Sequence, residues 1–585
     1  MAEIRFTDWL RLNATSTITW GHTNFSDYES QLYGPKVSVN GEIGKSQSDS
    51  YRQNHVQTLN FNKQFGLHSV QATVGHEWYD SKTTYLSATA QGLFTPEVKE
   101  INAAANNQYK SSSYTSEYNV EGYFGRVLYN YDEKYFADAS FRRDASSRFA
   151  KDNRWGSFWS VGAGWLMNKE KWFKLSAVDQ LKLKVSLGQT GNDGLPFSWS
   201  YSDIYTLSAS SPTSMTPSFS RIGNKDITWE TTTALNVGVD FELFKGRLTG
   251  SLEYYNKKTT DLLFWFSVPE SFGATGYYSN IGNKRSSGIE LTLSGDIIRT
   301  KDITWNVNFN LTRNKEKILK LPENKIRVNG GFAETWIPVS SGASNGSVQM
   351  WYEEGGSLYQ PFTYSYAGVN DKGEALYWYD EDLSPLGGKV ETNNTAKAGT
   401  KKSGTTTNIG EATRYAGESM LPNAYGGFGT TLKAYGFDVS LNFDYQIGGK
   451  IYDTQYAGLM QNWENDGDAG SAFHVDLLNS WTPNSSNSNI PRFQYGDKYT
   501  AATSDRFIAS AAYLNFHSFV VGYTLPKRLT SKLSVDKVRV YVTGENLGFW
   551  SARKGLDPRY DYGATESLTA YSLMRTVMGG IQVSF

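Results

Sequence analysis

The feature that most constrains this chain is a strict alternation of apolar and polar residues over long stretches. The alternation runs through residues 236–243, 248–255, 289–294, 305–312 and 437–447. Because successive side chains of a strand point to opposite faces, each stretch predicts a β-strand with one apolar and one polar face. A soluble β-sandwich would show the same pattern, so alternation by itself predicts only an all-β protein.

The connections between the predicted strands alternate in length as strictly as the side chains alternate in polarity. Short connections lie at 132–134, 245–246, 299–302 and 434–436, and long ones lie at about 188–226, 259–284, 313–416, 448–506 and 548–569. Outer-membrane barrels have short periplasmic turns and long extracellular loops, whereas a sandwich has no reason to sort its loops by end. The chain is therefore predicted to be a large transmembrane antiparallel β-barrel of about 17 strands.

Composition agrees with a barrel whose interior is wet. Only 39% of the residues are hydrophobic, although aromatic residues reach 15%. A barrel needs apolar side chains on its outer face alone, and no stretch approaches the roughly 18 apolar residues of a transmembrane helix. The chain has no cysteine and a net charge of −1, which excludes disulfides and thiolate metal sites and gives no global field for nucleic acid.

Both ends of the chain carry information about export. Residues 577–585 predict a last amphipathic strand that stops on Phe585, which looks like the signal read by the barrel-insertion machinery. The alternative is an ordinary edge strand that ends there. The first residues show no signal peptide, so we expect the chain to be a fragment or one piece of a longer exported protein.

Several short motifs resemble those of the SusC-like (RagA/SusC) TonB-dependent outer-membrane transporters. In order along the chain they are YFGR at 123–126, RRDASSRF at 142–149, LKLK at 181–184 with GQTGN at 188–192, NIGN at 280–283 with SGIE at 287–290, and YVTGENL at 541–547 with KGLDP at 554–558. The family usually has glycine where this chain has Ala145. Each motif alone is weakly specific, but their order is characteristic of the family.

The resemblance implies a function and a set of partners. Such proteins are Gram-negative outer-membrane importers of oligosaccharides or peptides, built as a 22-strand barrel closed by an internal plug. A SusD-like surface lipoprotein forms a lid, and the TonB complex supplies energy through a region ahead of the plug. No plug is recognisable here, so residues 1–585 are expected to be the C-terminal portion of the barrel, with about five strands missing. The lipid membrane and the insertion machinery are further expected partners.

The long loops contain the candidate substrate-binding residues. Flat aromatic rings stack on the apolar faces of sugars and also suit peptides. The candidates in the loops at about 313–416 and 448–506 are Trp351, Tyr352, Trp378, Tyr379, Trp463 and Trp481. The alternative is that these rings pack the loops against each other or against the lid. Arg142 and Arg148 are predicted to face a plug, although side chains facing a wet lumen would look the same.

No catalytic constellation is found, and the chain is predicted not to be an enzyme. The six histidines are scattered, and none forms a pair with metal-ligand spacing. Oxygen-rich segments at 192–194 and 465–468 suggest calcium, but neither continues as an EF-hand, so solvated turns are the preferred interpretation. No metal and no cofactor are predicted.

Two other functions remain open on the same architecture. One is a siderophore or vitamin receptor, which the motifs and the lack of a metal-facing loop cluster disfavour. The other is a structural or passive barrel subunit of an outer-membrane assembly, which the missing plug makes reasonable. The identity of the substrate is not encoded in any recognisable motif.

Overall fold

Antiparallel β-strands form most of the protein. The computed structural model describes residues 1–211, 214–267, 273–274, 276–321, 325–328, 331–334, 339–340, 348–387, 398–461, 472–497, 499–533, 535–559 and 573–585. Seventeen strands of these residues belong to the main antiparallel sheet. The predicted all-β fold and the predicted number of strands are therefore confirmed.

The strands are numbered along the chain. The first sixteen are β1 (Ala2–Thr7), β2 (Leu10–Glu29), β3 (Glu42–Phe65), β4 (His68–Leu93), β5 (Ala104–Tyr131), β6 (Tyr135–Ser146), β7 (Trp155–Leu166), β8 (Val178–Asn192), β9 (Ile204–Ser211), β10 (Ser214–Arg221), β11 (Glu230–Leu243), β12 (Leu248–Thr260), β13 (Leu263–Ser267), β14 (Gly276–Asn280), β15 (Asn283–Arg299) and β16 (Ile303–Lys320). The others are β17 (Lys325–Val328), β18 (Gly331–Glu334), β19 (Val339–Ser340), β20 (Gln349–Trp351), β21 (Gln360–Tyr364), β22 (Tyr366–Val369), β23 (Ala375–Tyr379), β24 (Gly404–Thr406), β25 (Arg414–Ala416), β26 (Ala424–Ala434), β27 (Phe437–Ile447), β28 (Lys450–Tyr452), β29 (Ile508–Ser510), β30 (Tyr513–Thr524), β31 (Lys537–Ser551) and β32 (Thr576–Ser584).

Helices are short within the described ranges. They are α1 (Thr454–Leu459), α2 (Lys527–Thr530) and the 3-10 turns Val37–Val39, Ile101–Ala103, Met167–Lys169, Pro385–Gly387, Val475–Asn479, Asp505–Phe507 and Ser531–Leu533. None of the helices in the described ranges has the length and apolar character needed to cross a bilayer.

The chain divides into two compact units. Unit 1 comprises Met1–Trp165, Ser186–Thr233 and Thr260–Ile281. Its strands β1 to β7 pair in chain order, each with the next. Two small hairpins, β9 with β10 and β13 with β14, lie in its longer connections.

Unit 2 comprises Leu166–Val185, Ala234–Thr259 and Gly282–Phe585. Its main-sheet strands pair in the order β12, β15, β16, β26, β27, β30, β31 and β32. Every pair is antiparallel, and the intervening strands of the chain belong to the long connections.

Register places apolar and polar residues in separate rows. In unit 2, Leu291 at the middle of β15 pairs with Leu252 of β12 and with Leu311 of β16. The next residue, Thr292, pairs with Asn310 and points to the opposite face. Directly opposed residues share a face, so each strand contributes to one apolar and one polar surface. The apolar row is open to its surroundings, since Leu252 is 43% exposed.

Strands β3, β4 and β5 are much longer than a bilayer crossing requires. They contain 24, 26 and 28 residues, whereas a tilted transmembrane strand needs about 9–11. At about 3.3 Å per residue β4 reaches about 85 Å, well beyond a hydrocarbon core of about 30 Å. These strands therefore continue as a paired sheet outside the apolar band.

The predicted short turns are confirmed, and their backbone explains their sharpness. The two residues between β26 and β27, Tyr435 and Gly436, have φ angles of 51° and 91°. Positive φ at both central residues matches the right-handed twist of the flanking strands. Asp132 and Glu133, between β5 and β6, also have positive φ, at 55° and 47°.

The long loops are confirmed, but several of their predicted bounds are wrong. The predicted loop 313–416 spans 321–423, and the predicted loop 448–506 spans 448–512. The other three span 193–229, 261–282 and 552–575. The strands extend beyond the residues that alternate between apolar and polar, because strand pairing continues where both faces are polar. The ion pair between Lys284 of β15 and Glu316 of β16, at 3.5 Å, lies in such an extension.

The two faces of β15 are predicted to tolerate a charge to very different degrees. Replacing Leu291→Arg should lower the free energy of unfolding in a bilayer by about 2–4 kcal/mol, because the charge would enter hydrocarbon. The matched variant Thr292→Arg should change it by less than about 1 kcal/mol, because it faces the polar side. Urea-driven unfolding from lipid vesicles measures both values, and equal losses would contradict the assignment of the faces.

Candidate substrate-binding site

The first long loop (321–423) has its own small core. Strands β20, β21 and β25 form one antiparallel ladder, and β22, β23 and β24 form another. Tyr364, Ala375, Tyr377 and Ala412 pack into one buried cluster, and the Tyr377 side chain is completely buried. The described part of this loop is thus folded around its own hydrogen-bonded ladders and buried cluster.

The second long loop (448–512) is hydrogen-bonded to the first. The Asp505 carboxylate accepts hydrogen bonds from the Ser365 hydroxyl at 2.8 Å and from the backbone N–H of Tyr366 at 2.7 Å. The Tyr377 hydroxyl donates to the backbone carbonyl of Tyr499 at 2.5 Å. Hydrogen bonds to a charged acceptor are about twice as strong as neutral ones, so Asp505 is a main link between the loops.

A second link lies at the turn that precedes β23. Arg492 of the second loop donates to the backbone carbonyl of Lys372 at 3.0 Å and lies 3.6 Å from Glu374. Trp481 packs over Gly373, whose φ of +83° favours glycine. A side chain at Gly373 would overlap the Trp481 ring, so this residue is needed both for the turn and for the contact.

Burial raises the pKa of several tyrosines in these loops. It raises the pKa of Tyr366 to about 12 and that of Tyr452 to about 12. The pKa of Tyr377 is raised further by the same cause, because a buried phenolate would lose its hydration. By contrast, the pKa of Asp380 is lowered although burial opposes this, because the backbone N–H groups of Lys401, Thr400 and Asp382 hydrogen-bond its carboxylate.

The predicted aromatic residues fall into buried and half-exposed groups. Trp351 and Tyr352 are each only 8% exposed, and the Trp351 ring lies 5.0 Å from that of Phe362. Burial also raises the pKa of Tyr352 to about 12. These two rings form loop core, which favours the packing role over substrate contact. Trp463 lies outside the described residues.

Trp378 and Tyr379 are the predicted aromatics that remain partly open. They follow Tyr377 in β23 and are both half-buried. Since side chains alternate along a strand, Tyr377 enters the core and Trp378 points to the other side. The Lys402 ammonium lies 5.6 Å from the Trp378 ring centre, so this side combines a flat ring with a cation. Trp481 is half-buried through its contact with the first loop.

The two predicted arginines belong to a charged cluster in unit 1. Arg142 donates to Asp144 at 2.7 Å and to Glu77 at 2.8 Å. Arg148 donates to the backbone carbonyl of Asp193 at 3.0 Å. The guanidinium of Arg148 also lies 4.4 Å above the Tyr118 ring. Both arginines therefore have partners within the strands and their loops.

Sequence reasoning missed the acidic half of this cluster. Asp193 was expected in a solvated turn, yet it accepts hydrogen bonds from the Tyr118 hydroxyl at 2.8 Å and the Ser146 hydroxyl at 2.6 Å. Asp144 lies two residues from Arg142 on the same strand, and this spacing on one face was an available signal. Across the described part of the chain, no group of three or more His, Asp or Glu side chains could hold a metal ion. The segment 465–468 lies outside the described residues.

The fold matches an established family. A family model described as TonB dependent receptor-like, beta-barrel, matches residues 4–371. The chain belongs to the TonB-dependent receptor β-barrel family. The resemblance to SusC-like and RagA transporters is confirmed by this match and by the relatives that follow.

Two curated relatives of this TonB-dependent receptor barrel illustrate the similarity. TonB-dependent receptor P3 of Formosa agariphila is 28% identical over 569 residues, which cover 96% of this chain and 54% of the relative. TonB-dependent receptor SusC of Bacteroides thetaiotaomicron is 26% identical over 486 residues, which cover 81% of this chain and 45% of the relative. The chain thus spans about half the length of the curated relatives it matches.

Solved structures show the same barrel fold. The solved structure of the RagAB peptide transporter matches all of this chain with a TM-score of 0.81 at 23% identity, and 61% of that protein is covered. The RagAB peptide importer in its open-open state gives 0.78 at 22% identity, with 60% of that protein covered.

Membership of the TonB-dependent receptor family places the protein in the outer membrane of Gram-negative bacteria. The apolar face of its main strands then faces lipid, and the polar face lines the lumen. The short turns lie on the periplasmic side and the long loops on the extracellular side. Phe585 follows the last strand and is 97% exposed, and its role as an insertion signal stays a prediction.

The link through Asp505 predicts the stability of the loops. Replacing Asp505→Ala removes two hydrogen bonds to a charged acceptor and leaves the Tyr366 N–H without a partner, at a cost of about 1.5–3 kcal/mol. The fraction of molecules in which the two loops have separated should rise more than about tenfold. Tryptic cleavage after Lys372 and Arg492 measures that fraction. The exposed control Asp371→Ala should leave the rate unchanged, and equal rates for both variants would refute the link.

The buried tyrosines predict a loss of loop stability in alkali. A tyrosine ionises near pH 10 when the loops are open, but Tyr366 and Tyr452 ionise only near 12 when they are closed. Between these values the open form binds fewer protons, so stability falls as the pH rises from about 10 to about 12. It is fully retained below pH 10. Tyrosinate absorbance recorded alongside tryptic cleavage tests this, and cleavage that does not change across this window would contradict it.

Proposed function

We propose that the protein is the barrel part of a TonB-dependent importer that carries oligosaccharides or peptides across the outer membrane. The observation that supports this most strongly is the family match over residues 4–371. In this proposal residues 1–585 supply the C-terminal strands and the extracellular loops. A plug, the TonB contact and the remaining strands lie outside this segment.

The extracellular loops supply the proposed binding surface. Trp378 offers its ring face on the open side of β23, with the Lys402 ammonium 5.6 Å from the ring centre, and the half-buried Tyr379 offers the exposed part of its ring on the opposite face. An aromatic face stacks on the apolar face of a sugar or on a peptide side chain, while nearby polar groups bind hydroxyls or carboxylates. Trp351, Tyr352 and Trp481 are proposed to act mainly by holding this surface in place.

Interlocking of the two loops favours this assignment. Binding is tighter when the site is ordered before the ligand arrives, because less conformational entropy is lost. The hydrogen bonds of Asp505 and the contacts of Arg492 provide that order. A SusD-like lipoprotein is the proposed lid over the loops.

The lumen arginines are proposed to meet the plug. Arg142 and Arg148 already have acidic partners, so the plug would contact a cluster that is close to neutral. Nε of Arg148 is buried and has no hydrogen-bond partner among the described residues. A carbonyl of the plug would satisfy this group.

Uptake by living cells tests the function. We expect that deleting the gene in its own bacterium abolishes uptake of either labelled peptides or labelled oligosaccharides, and that complementation restores it. Removing the inner-membrane TonB protein should have the same effect, since import against a gradient needs energy. Uptake that persists without TonB would support a passive barrel. Loss of iron-chelate uptake alone would support a siderophore receptor.

Substitution of the aromatic pair tests the binding surface. The double variant Trp378→Ala and Tyr379→Ala should weaken affinity about three- to tenfold, because stacking on aromatic rings is worth about 0.5–1.5 kcal/mol. Titration of the complemented transporter with the imported substrate class measures this. Trp172→Ala, an exposed tryptophan in the short connection between β7 and β8, is the matched control. An unchanged affinity in the double variant would move the site elsewhere.

A further inference from the structure

A polar cavity of about 600 Å³ lies at the short-turn end of unit 2. The turns β15–β16 and β26–β27 and the ends of β30, β31 and β32 surround it. Its charged lining residues are Lys301, Asp302, Lys433, Asp438, Lys537 and Arg539, and Thr304, Thr524 and Gln582 add neutral polar groups. Lys301 and Asp302 form an ion pair with each other at 3.9 Å. A volume of this size falls in the range of pockets that hold ligands, about 300–1,000 Å³.

Strand register shows which face the cavity occupies. Lys433 pairs directly with Thr304 on one side and with Asp438 on the other, so the three share a face. The neighbouring Leu432 and, on β31, Val540 point to the opposite face and are 40% and 46% exposed. These apolar residues face lipid in a membrane barrel. The charged side chains of the cavity therefore point to the lumen face of the sheet.

Two of its cations have no partner within hydrogen-bond or ion-pair distance, although both attract the Asp438 carboxylate at longer range. Asp438 accepts a hydrogen bond from Nε of Arg539 at 3.0 Å, which neutralises that pair. Lys433 and Lys537 have no hydrogen bond or ion pair within the described residues. Like charges near each other are favourable only when an anion is held between them or water screens them. The cavity thus has a net positive charge at the periplasmic mouth of the lumen.

We propose that this cavity binds the carboxylates of an acidic polypeptide segment entering the lumen from the periplasmic side. Lys433 and Lys537 bind the carboxylates, while Thr304 and Gln582 hydrogen-bond the backbone of the segment. A segment of several residues suits the volume better than a single inorganic anion. The inference rests on the outer-membrane barrel fold, so it stands or falls independently of the imported substrate.

Binding of a defined peptide to the full chain in detergent micelles tests the proposal. The probe is a labelled peptide of alternating glutamate and glycine, and the comparison is the same peptide with glutamine in place of glutamate. We expect the acidic peptide to bind about two- to thirtyfold more tightly, because the glutamine peptide cannot form the two ion pairs with Lys433 and Lys537. Its affinity should fall as salt is added. Fluorescence anisotropy measures both.

Variants locate the site. Lys433→Gln with Lys537→Gln should weaken the acidic peptide about tenfold, whereas Lys527→Gln should have no effect. Lys527 lies near the same end of unit 2, is 90% exposed and does not line the cavity. Heat-dependent gel mobility checks that each variant is folded.

Three results would overturn the proposal. One is equal affinity for the glutamate and glutamine peptides. Another is an unchanged affinity in the folded double-lysine variant. The third is tight binding of inorganic phosphate with no preference for the acidic peptide, which would make the cavity a site for free oxyanions.

Discussion

Hydrogen bonding of the backbone in lipid is the constraint on which the rest of the structure depends. Hydrocarbon offers no partner to a peptide N–H or C=O, so each must be satisfied by another strand. The pairing of β3 with β4 meets this condition, since all 24 residues of β3 have partners without a register shift. Once the backbone is paired in this way, side chains can only alternate between lipid and lumen.

That constraint explains how much of the fold the sequence predicted. Inside the lipid one face must be apolar and the other is wet, so the period of two is visible, as around Leu291. Beyond the lipid both faces are polar, and the period disappears although the hydrogen bonds continue. The sequence therefore predicted that this strand ends near residue 312, whereas β16 ends at Lys320. The reason is that residues 313–320 are mostly polar or charged and show no apolar face. Strand ends in water leave little trace in the pattern of polarity.

The candidate site was less predictable because its geometry depends on distant partners. In the sequence Trp351 and Trp378 look alike, yet one is buried against Phe362 and the other remains half-exposed. What separates them is packing between segments that lie far apart along the chain. The Tyr377 hydroxyl finds its acceptor 122 residues away. The sequence identifies such aromatic residues as candidates, but contacts between segments that are far apart in the chain determine which ring remains exposed.

The interlocked loops have a consequence for how such a protein changes over generations. In β23 the Tyr377 side chain holds the core, and its neighbour Trp378 points the other way. Replacing the outer residue alters the ring presented to the outside and leaves the packing that orders the strand untouched. If Trp378 contacts the ligand as proposed, folding and ligand preference are encoded at adjacent positions of one five-residue strand. During evolution, Trp378 can therefore be substituted while Tyr377 is conserved in the core.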